Sequence, residues 1–144
     1  MVSEHDANWK FAQESVVEAE HIARARQHAL ELGAEPVDPA VGAQLAVLAA
    51  ATGARNIVEI GTGAGVSGLW LLSGAPSAVL TTIDSEPEHL AVARQSFADA
   101  KVPAARARFI TGRASDVLPR MNEASYDLVL VDADPEHVIE YVEH

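Results

Sequence analysis

The stretch that decides the fold is Asn56-Ile57-Val58-Glu59-Ile60-Gly61-Thr62-Gly63-Ala64-Gly65, followed at once by Val66-Ser67-Gly68-Leu69-Trp70-Leu71-Leu72. Asn56–Ile60 is a short apolar run of the kind that forms a buried strand. Alternating glycines then allow a tight turn and close approach of backbone to a ligand. Residues 66–72 read as a helix whose first amides and dipole face an anion. Strand, glycine loop and helix in this order open a βαβ unit.

The alternation continues downstream. Residues 78–83 read as a second strand, and Ser85-Glu86-Pro87-Glu88 as a capping box with Ser85 as the cap. Leu90, Ala93 and Phe97 carry the next helix. Residues 108–111 read as a third strand, 116–121 as a short helix and 126–131 as a fourth strand flanked by Asp127. A further helix begins at Pro135. Short loops between alternating elements predict an α/β fold: a Rossmann-like, doubly wound, mostly parallel sheet with helices on both faces.

Upstream lie N-terminal helices. Residues 3–32 read as one helix with an apolar stripe at Trp9, Ala12, Val16, Ala19, Ala23 and Leu30, stopped by Gly33. Two readings stand for it: packing on its own domain, or an arm for a second copy. Asp38-Pro39 reads as an N-cap with proline at the first helical position, opening a helix to about Thr52. A single domain over 1–144 is expected, with a helical part at 1–53 and a Rossmann-like part at 54–144. Four strands form a small sheet for this class, and the chain stops partway into a helix. C-terminal strands are therefore expected to be missing from this chain.

Hydrophobic residues make up 49% of the 144, enough for a core. The net charge of −11 repels phosphate backbones and argues against nucleic acid as a partner. Cysteine is absent, which excludes a disulfide framework and suits a cytoplasmic protein. The opening Met1-Val2-Ser3-Glu4-His5-Asp6 lacks the basic start and apolar run of a secretory signal. The longest apolar stretch, residues 44–51, is far too short to span a membrane. The histidines show no metal-ligand spacing, although His137 stands three residues after Asp134. Trp70 in its apolar helix reads as core.

Ligands of open α/β sheets bind beyond the carboxyl ends of the strands. The conspicuous polar groups all fall there: the glycine loop after the first strand, Asp84 at the end of the second, Gly112-Arg113-Ala114 after the third, and Asp132 at the end of the fourth. Two cofactors compete for this crevice. Gly63-Ala64-Gly65-Val66-Ser67-Gly68 matches the dinucleotide fingerprint, which would make the protein an NAD(P)-dependent oxidoreductase. Asp84 suits the ribose of either cofactor. Three features favour S-adenosylmethionine instead. Glu59 opposes a pyrophosphate but suits a cationic amino group. More than 50 residues precede the first strand. Asp132 and Asp134 at the fourth strand suit a metal or a substrate hydroxyl better than hydride transfer. A truncated, non-catalytic cofactor-binding module is a further alternative.

Taken together, Glu59-Ile60-Gly61-Thr62-Gly63, Ser67, Thr82-Ile83-Asp84, residues 109–114 and Val131-Asp132-Ala133-Asp134 resemble the caffeoyl-CoA-type O-methyltransferase family of class I S-adenosylmethionine-dependent methyltransferases. The resemblance runs from about Pro36 to Tyr141. It implies that Val37, Glu59, Gly61, Thr62, Gly63 and Ser67 line the methionine end of the cofactor. Asp84 would hold the ribose, Arg113 and Ala114 would border the adenine, and Asp134 would lie near the sulfonium. Asp132 would face the acceptor, a small catechol- or phenol-like hydroxyl compound, act in catalysis and bind Mg²⁺ or another divalent cation in metal-dependent members. A homodimer and a seven-stranded sheet are also implied. Two departures stand out: Pro135 occupies the position where many members carry lysine, and the later Asp-Asn metal ligands lie beyond His144.

Overall fold

A computed structural model describes residues 2–133 and 135–143. Three helices come first: α1 (Glu4–Ser15), α2 (Glu20–Glu31) and α3 (Pro39–Ala51). Then β1 (Asn56–Ile60), α4 (Val66–Gly74), β2 (Val79–Asp84), α5 (Pro87–Asp99), β3 (Ala107–Thr111), α6 (Ala114–Val117), β4 (Leu128–Val131) and α7 (Val138–Glu143) alternate, with single 3₁₀ turns before β3, after α6 and before α7.

All pairings in the four-stranded sheet are parallel, in the order β3-β2-β1-β4. The chain steps outward from β1 to β3, then crosses back to lay β4 on the other side of β1. The strand order thus reverses between β1 and β4, the place where such sheets open a crevice. The α/β, mostly parallel architecture expected from the sequence is observed.

Period-two alternation divides the sheet. Ile57, Glu59, Leu80 and Thr82 face α4 and α5, while Val58, Ile60 and Ile83 face the side of α6 and α7. The main core lies on the first side. Ile22, Ala25 and Ala29 of α2, Ala49 of α3, and Leu69, Leu71 and Leu72 of α4 join Ile57, Leu80 and Phe97. The small residues of α2 and α3 let these helices sit close. Gly42 meets the Trp70 ring so directly that a β-carbon there would enter the indole. Helices α2 and α3 therefore share the sheet's core and have none of their own. By contrast, α1 buries none of its residues, and Phe11 is 73% exposed.

The single helix expected over residues 3–32 is two helices. Val16 is extended, with φ −89° and ψ 123°. Adjacent β-branched Val16 and Val17 resist helical χ1 geometry. The break also frees Glu18 for tertiary bonds. Its carboxylate accepts Arg26 Nε at 2.6 Å, Arg26 Nη2 at 3.1 Å and Trp70 Nε1 at 3.1 Å. Trp70 is accordingly half-buried core with a polar anchor. Asp38 does precede α3, but its side chain makes no cap bond; Gln13 of α1 accepts the Ala40 amide at 3.3 Å instead. Asp127 flanks β4 as expected, accepting the Arg55 and Asn56 amides at 2.8 and 2.9 Å. These two bonds clip the entry of β4 to the entry of β1. They hold the Asp127 carboxyl below its ordinary range.

Candidate functional site

The site is built from four strand ends. After β1, Gly61, Gly63 and Gly65 all have positive φ, at 97°, 53° and 96°. Gly61 has a second requirement. A β-carbon there would collide with the carbonyl oxygen of Asp132, whose own amide donates to Ile60 O at 2.9 Å. Only glycine lets the ends of β1 and β4 meet at the strand-order reversal.

Beyond this contact is a cleft of about 230 Å³ lined by Val37, Thr62, Ser67, Asp84, His89 and Asp132 among others. It adjoins a second lobe of about 240 Å³ whose wall includes Ser85, Arg113, Ala114, His137 and Tyr141. Gly61, Asp84 and Ala133 line both lobes. The groups at the ends of β1, β2, β3 and β4 thus converge on one two-lobed crevice.

Asp84 stands at the junction. Its Oδ2 accepts the Thr62 and Gly63 amides at 3.0 and 3.1 Å, and its Oδ1 accepts the Glu86 amide at 2.9 Å. His89 Nδ1 lies 3.4 Å from Oδ2. This arrangement replaces the expected capping box. Glu86, not Ser85, is the N-cap of α5, and no side chain caps it. The Asp84 carboxylate organises the turn in its place.

Glu59 does not line the cleft. It points from β1 under the first turn of α4 and is fully buried. Ser67 Oγ donates to its Oε2, and Thr82 Oγ1 donates to Oε1 at 2.8 Å. Desolvation by burial pushes the Glu59 carboxyl up to about 7, against the lowering effect of these two bonds and with a further push from the charges of Asp132 and Asp84. Glu59 therefore reaches the cleft through Ser67. The first turn of α4 has no side-chain cap, and Val66 and Ser67 line the cleft, so this helix end is open to an anionic group.

Asp132 is at the mouth of the first lobe, exposed on one side. Desolvation against the cleft wall raises its carboxyl above the ordinary carboxylate range. Asp134 lies outside the described residues. Among the described residues no group of three acidic or histidine side chains is close enough to hold a metal ion.

The structure brings together Val37, Gly61, Thr62, Gly63, Ser67, Asp84, Arg113, Ala114 and Asp132, and sets Glu59 one layer behind them. Sequence reasoning missed His89, Glu35 and Tyr141. His89 had a usable signal: it is in the first turn of the helix after Asp84, and such turns face the crevice. Glu35 and Tyr141 had none, since their positions depend on how α3 and α7 dock.

A model of the methyltransferase domain family matches residues 58–144. The chain belongs to that family. A Mycobacterium tuberculosis protein named "Probable O-methyltransferase" is 52% identical over 141 residues, covering 97% of this chain and 63% of the relative. The O-methyltransferase TomG of Streptomyces achromogenes, solved in complex with SAM, is similar at TM-score 0.84 and 32% identity, covering 95% of this chain and 64% of that one. An O-methyltransferase from Bacillus cereus, solved with SAH, is similar at TM-score 0.84 and 26% identity, again covering 95% and 64%. The chain thus spans less than two thirds of the length of each of these proteins.

Proposed function

We propose that the protein transfers a methyl group from S-adenosylmethionine to a hydroxyl oxygen of a small, phenol- or catechol-like molecule. The observation that carries this reading is the two-lobed crevice with Asp84 at its junction and the Thr62 and Gly63 amides already bonded to that carboxylate. A dinucleotide needs the glycine-loop amides for its pyrophosphate, and Asp84 occupies them with negative charge. A zwitterionic amino acid joined to a nucleoside meets no such conflict, and the relatives named as O-methyltransferases support the same reading.

The residues present fit that cofactor. The uncapped first turn of α4 suits its carboxylate, the Thr62 and Ser67 hydroxyls its ammonium, and Asp84 its ribose diol. Val37 closes the methionine end. Arg113 and Ala114 border the second lobe, sized for the adenine. When bound, the cofactor supplies a methyl carbon already activated by a sulfonium. What remains for the protein is to align the acceptor and take up its proton. Asp132 is assigned this role, because partial desolvation strengthens it as a base and it stands at the cleft mouth. A divalent ion would need ligands beyond Asp132.

Other parts of this reading are a homodimer, in which a second copy covers Trp9 and Phe11 of α1, and a cytoplasmic location. No helix among the described residues is long and apolar enough to cross a membrane.

Calorimetric titration with S-adenosylmethionine, S-adenosylhomocysteine and NAD tests the assignment. Binding of the first two and none of NAD is expected. Binding of NAD alone overturns it. Labelled-methyl incorporation into a panel of phenols and catechols then tests the reaction.

A further inference from the structure

Beneath the cleft runs a buried chain of hydroxyls. Thr62 Oγ1 and Thr82 Oγ1 are 2.7 Å apart, and Thr82 Oγ1 donates to Glu59 Oε1 at 2.8 Å. Ser67 Oγ donates to the other oxygen of the same carboxylate. Each hydroxyl has one proton to give. With Glu59 ionised, Thr82 gives its proton to the carboxylate and must receive one from Thr62. The direction is then fixed along the whole chain: Thr62 to Thr82 to Glu59, and Ser67 to Glu59. Thr62 and Ser67 both line the cleft, and their hydroxyls are left with only lone pairs to offer.

We propose that Thr82 is a positioning residue for the cofactor cleft, whose buried hydroxyl couples Thr62 to Glu59 and so holds the cleft wall as a hydrogen-bond acceptor, the polarity an ammonium group requires. Thr82 itself is fully buried and does not line the cleft. It acts through its two neighbours. The inference rests on the cofactor reading above and deepens it at the methionine end.

Protonation of Glu59 reverses the chain. The new O–H donates to Thr82 or to Ser67, and the displaced hydroxyl proton turns toward the cleft, where it opposes the ammonium. Affinity for the cofactor therefore rises as pH climbs through the Glu59 transition near 7. The charged or titratable groups facing Glu59 are Asp84 at the end of β2 and Asp132 after β4, and His89 on α5 faces Asp84.

The test measures the dissociation constant of S-adenosylhomocysteine from pH 5.5 to 9 for the wild type, Thr82→Val, Thr82→Ser, Thr62→Val and His89→Gln, each checked for folding by circular dichroism. Valine keeps the shape and removes the hydroxyl, so the Glu59 carboxylate loses a charge-assisted bond. Roughly tenfold weaker binding at pH 7 and a midpoint about one pH unit higher are expected. Thr82→Ser should restore both. Thr62→Val, at the other end of the chain, should move the midpoint in the same direction and carries the test should Thr82→Val not fold. His89→Gln should leave the midpoint in place. A uniform loss of affinity in the valine variants with an unchanged midpoint overturns the inference, as does disappearance of the midpoint in His89→Gln. Failure of the wild type to bind at any pH rejects the cofactor reading and the inference with it.

Discussion

Replacing Glu59 by glutamine should stabilise the protein above neutral pH while weakening its cleft. The carboxyl is fully buried, and its pKa rises from 4.5 to about 7, mainly by desolvation. A group that holds its proton more tightly folded than unfolded favours the folded state at low pH. Stability is lost as pH rises from about 4.5 to about 7 and then levels off. The shift corresponds to about 3 kcal/mol between the two limits. Glutamine reproduces the protonated form. Its oxygen accepts one hydroxyl and its amide donates to the other, so neither Ser67 nor Thr82 is orphaned. Urea unfolding of both proteins at half-unit steps from pH 4 to 9 isolates the effect, because other titrating groups cancel in the difference. The variant should match the wild type near pH 4 and exceed it by about 3 kcal/mol above pH 8. A difference that stays flat, or a variant less stable at pH 8, refutes the view that Glu59 carries a buried charge at the expense of the fold.

Gly61→Ala forces a β-carbon into the Asp132 carbonyl at a φ of 97°; a loss of roughly 3 kcal/mol or more is expected in urea unfolding, with cofactor binding abolished. Asp127→Ala removes the two bonds to the Arg55 and Asn56 amides. Because the Asp127 carboxyl is held low, its contribution is present above pH 4 and lost as pH falls; the variant should be less stable at pH 7, with the gap to the wild type narrowing as pH falls below 4, read by thermal unfolding. Asp132→Asn should lower methyl transfer by about 10²- to 10⁴-fold while leaving the dissociation constant of S-adenosylhomocysteine within about threefold, and equal losses in both would assign Asp132 to binding instead.

Periodicity made most elements legible. Strand β1 has the bounds its apolar run predicts, and the later strands differ by one or two residues. The misreadings came where particular side chains overrode the spacing pattern. A continuous stripe suggested one N-terminal helix, but Val16 and Val17 break it and Glu18 is claimed by Arg26 and Trp70. Ser85 had the spacing of a cap, yet Asp84 bonds the Glu86 amide first. Glu59 was expected to line the methionine end of the cofactor, but its carboxylate points into the core side of the sheet. Strand alternation places it there, and only the docking of α4 shows what covers it.

The order of strands, loops and helices, and the gathering of polar residues at strand ends, follow from local pattern, because hydrophobic period and glycine conformation are properties of neighbouring residues. How Glu59 meets Thr82, which oxygens of Asp84 hold the loop, and how Gly61 meets Asp132 depend on residues some 20 to 70 positions apart. Those contacts exist only once the parallel strands have set their register, and the burial they create, not the residue types alone, moves the Glu59 proton to near neutrality.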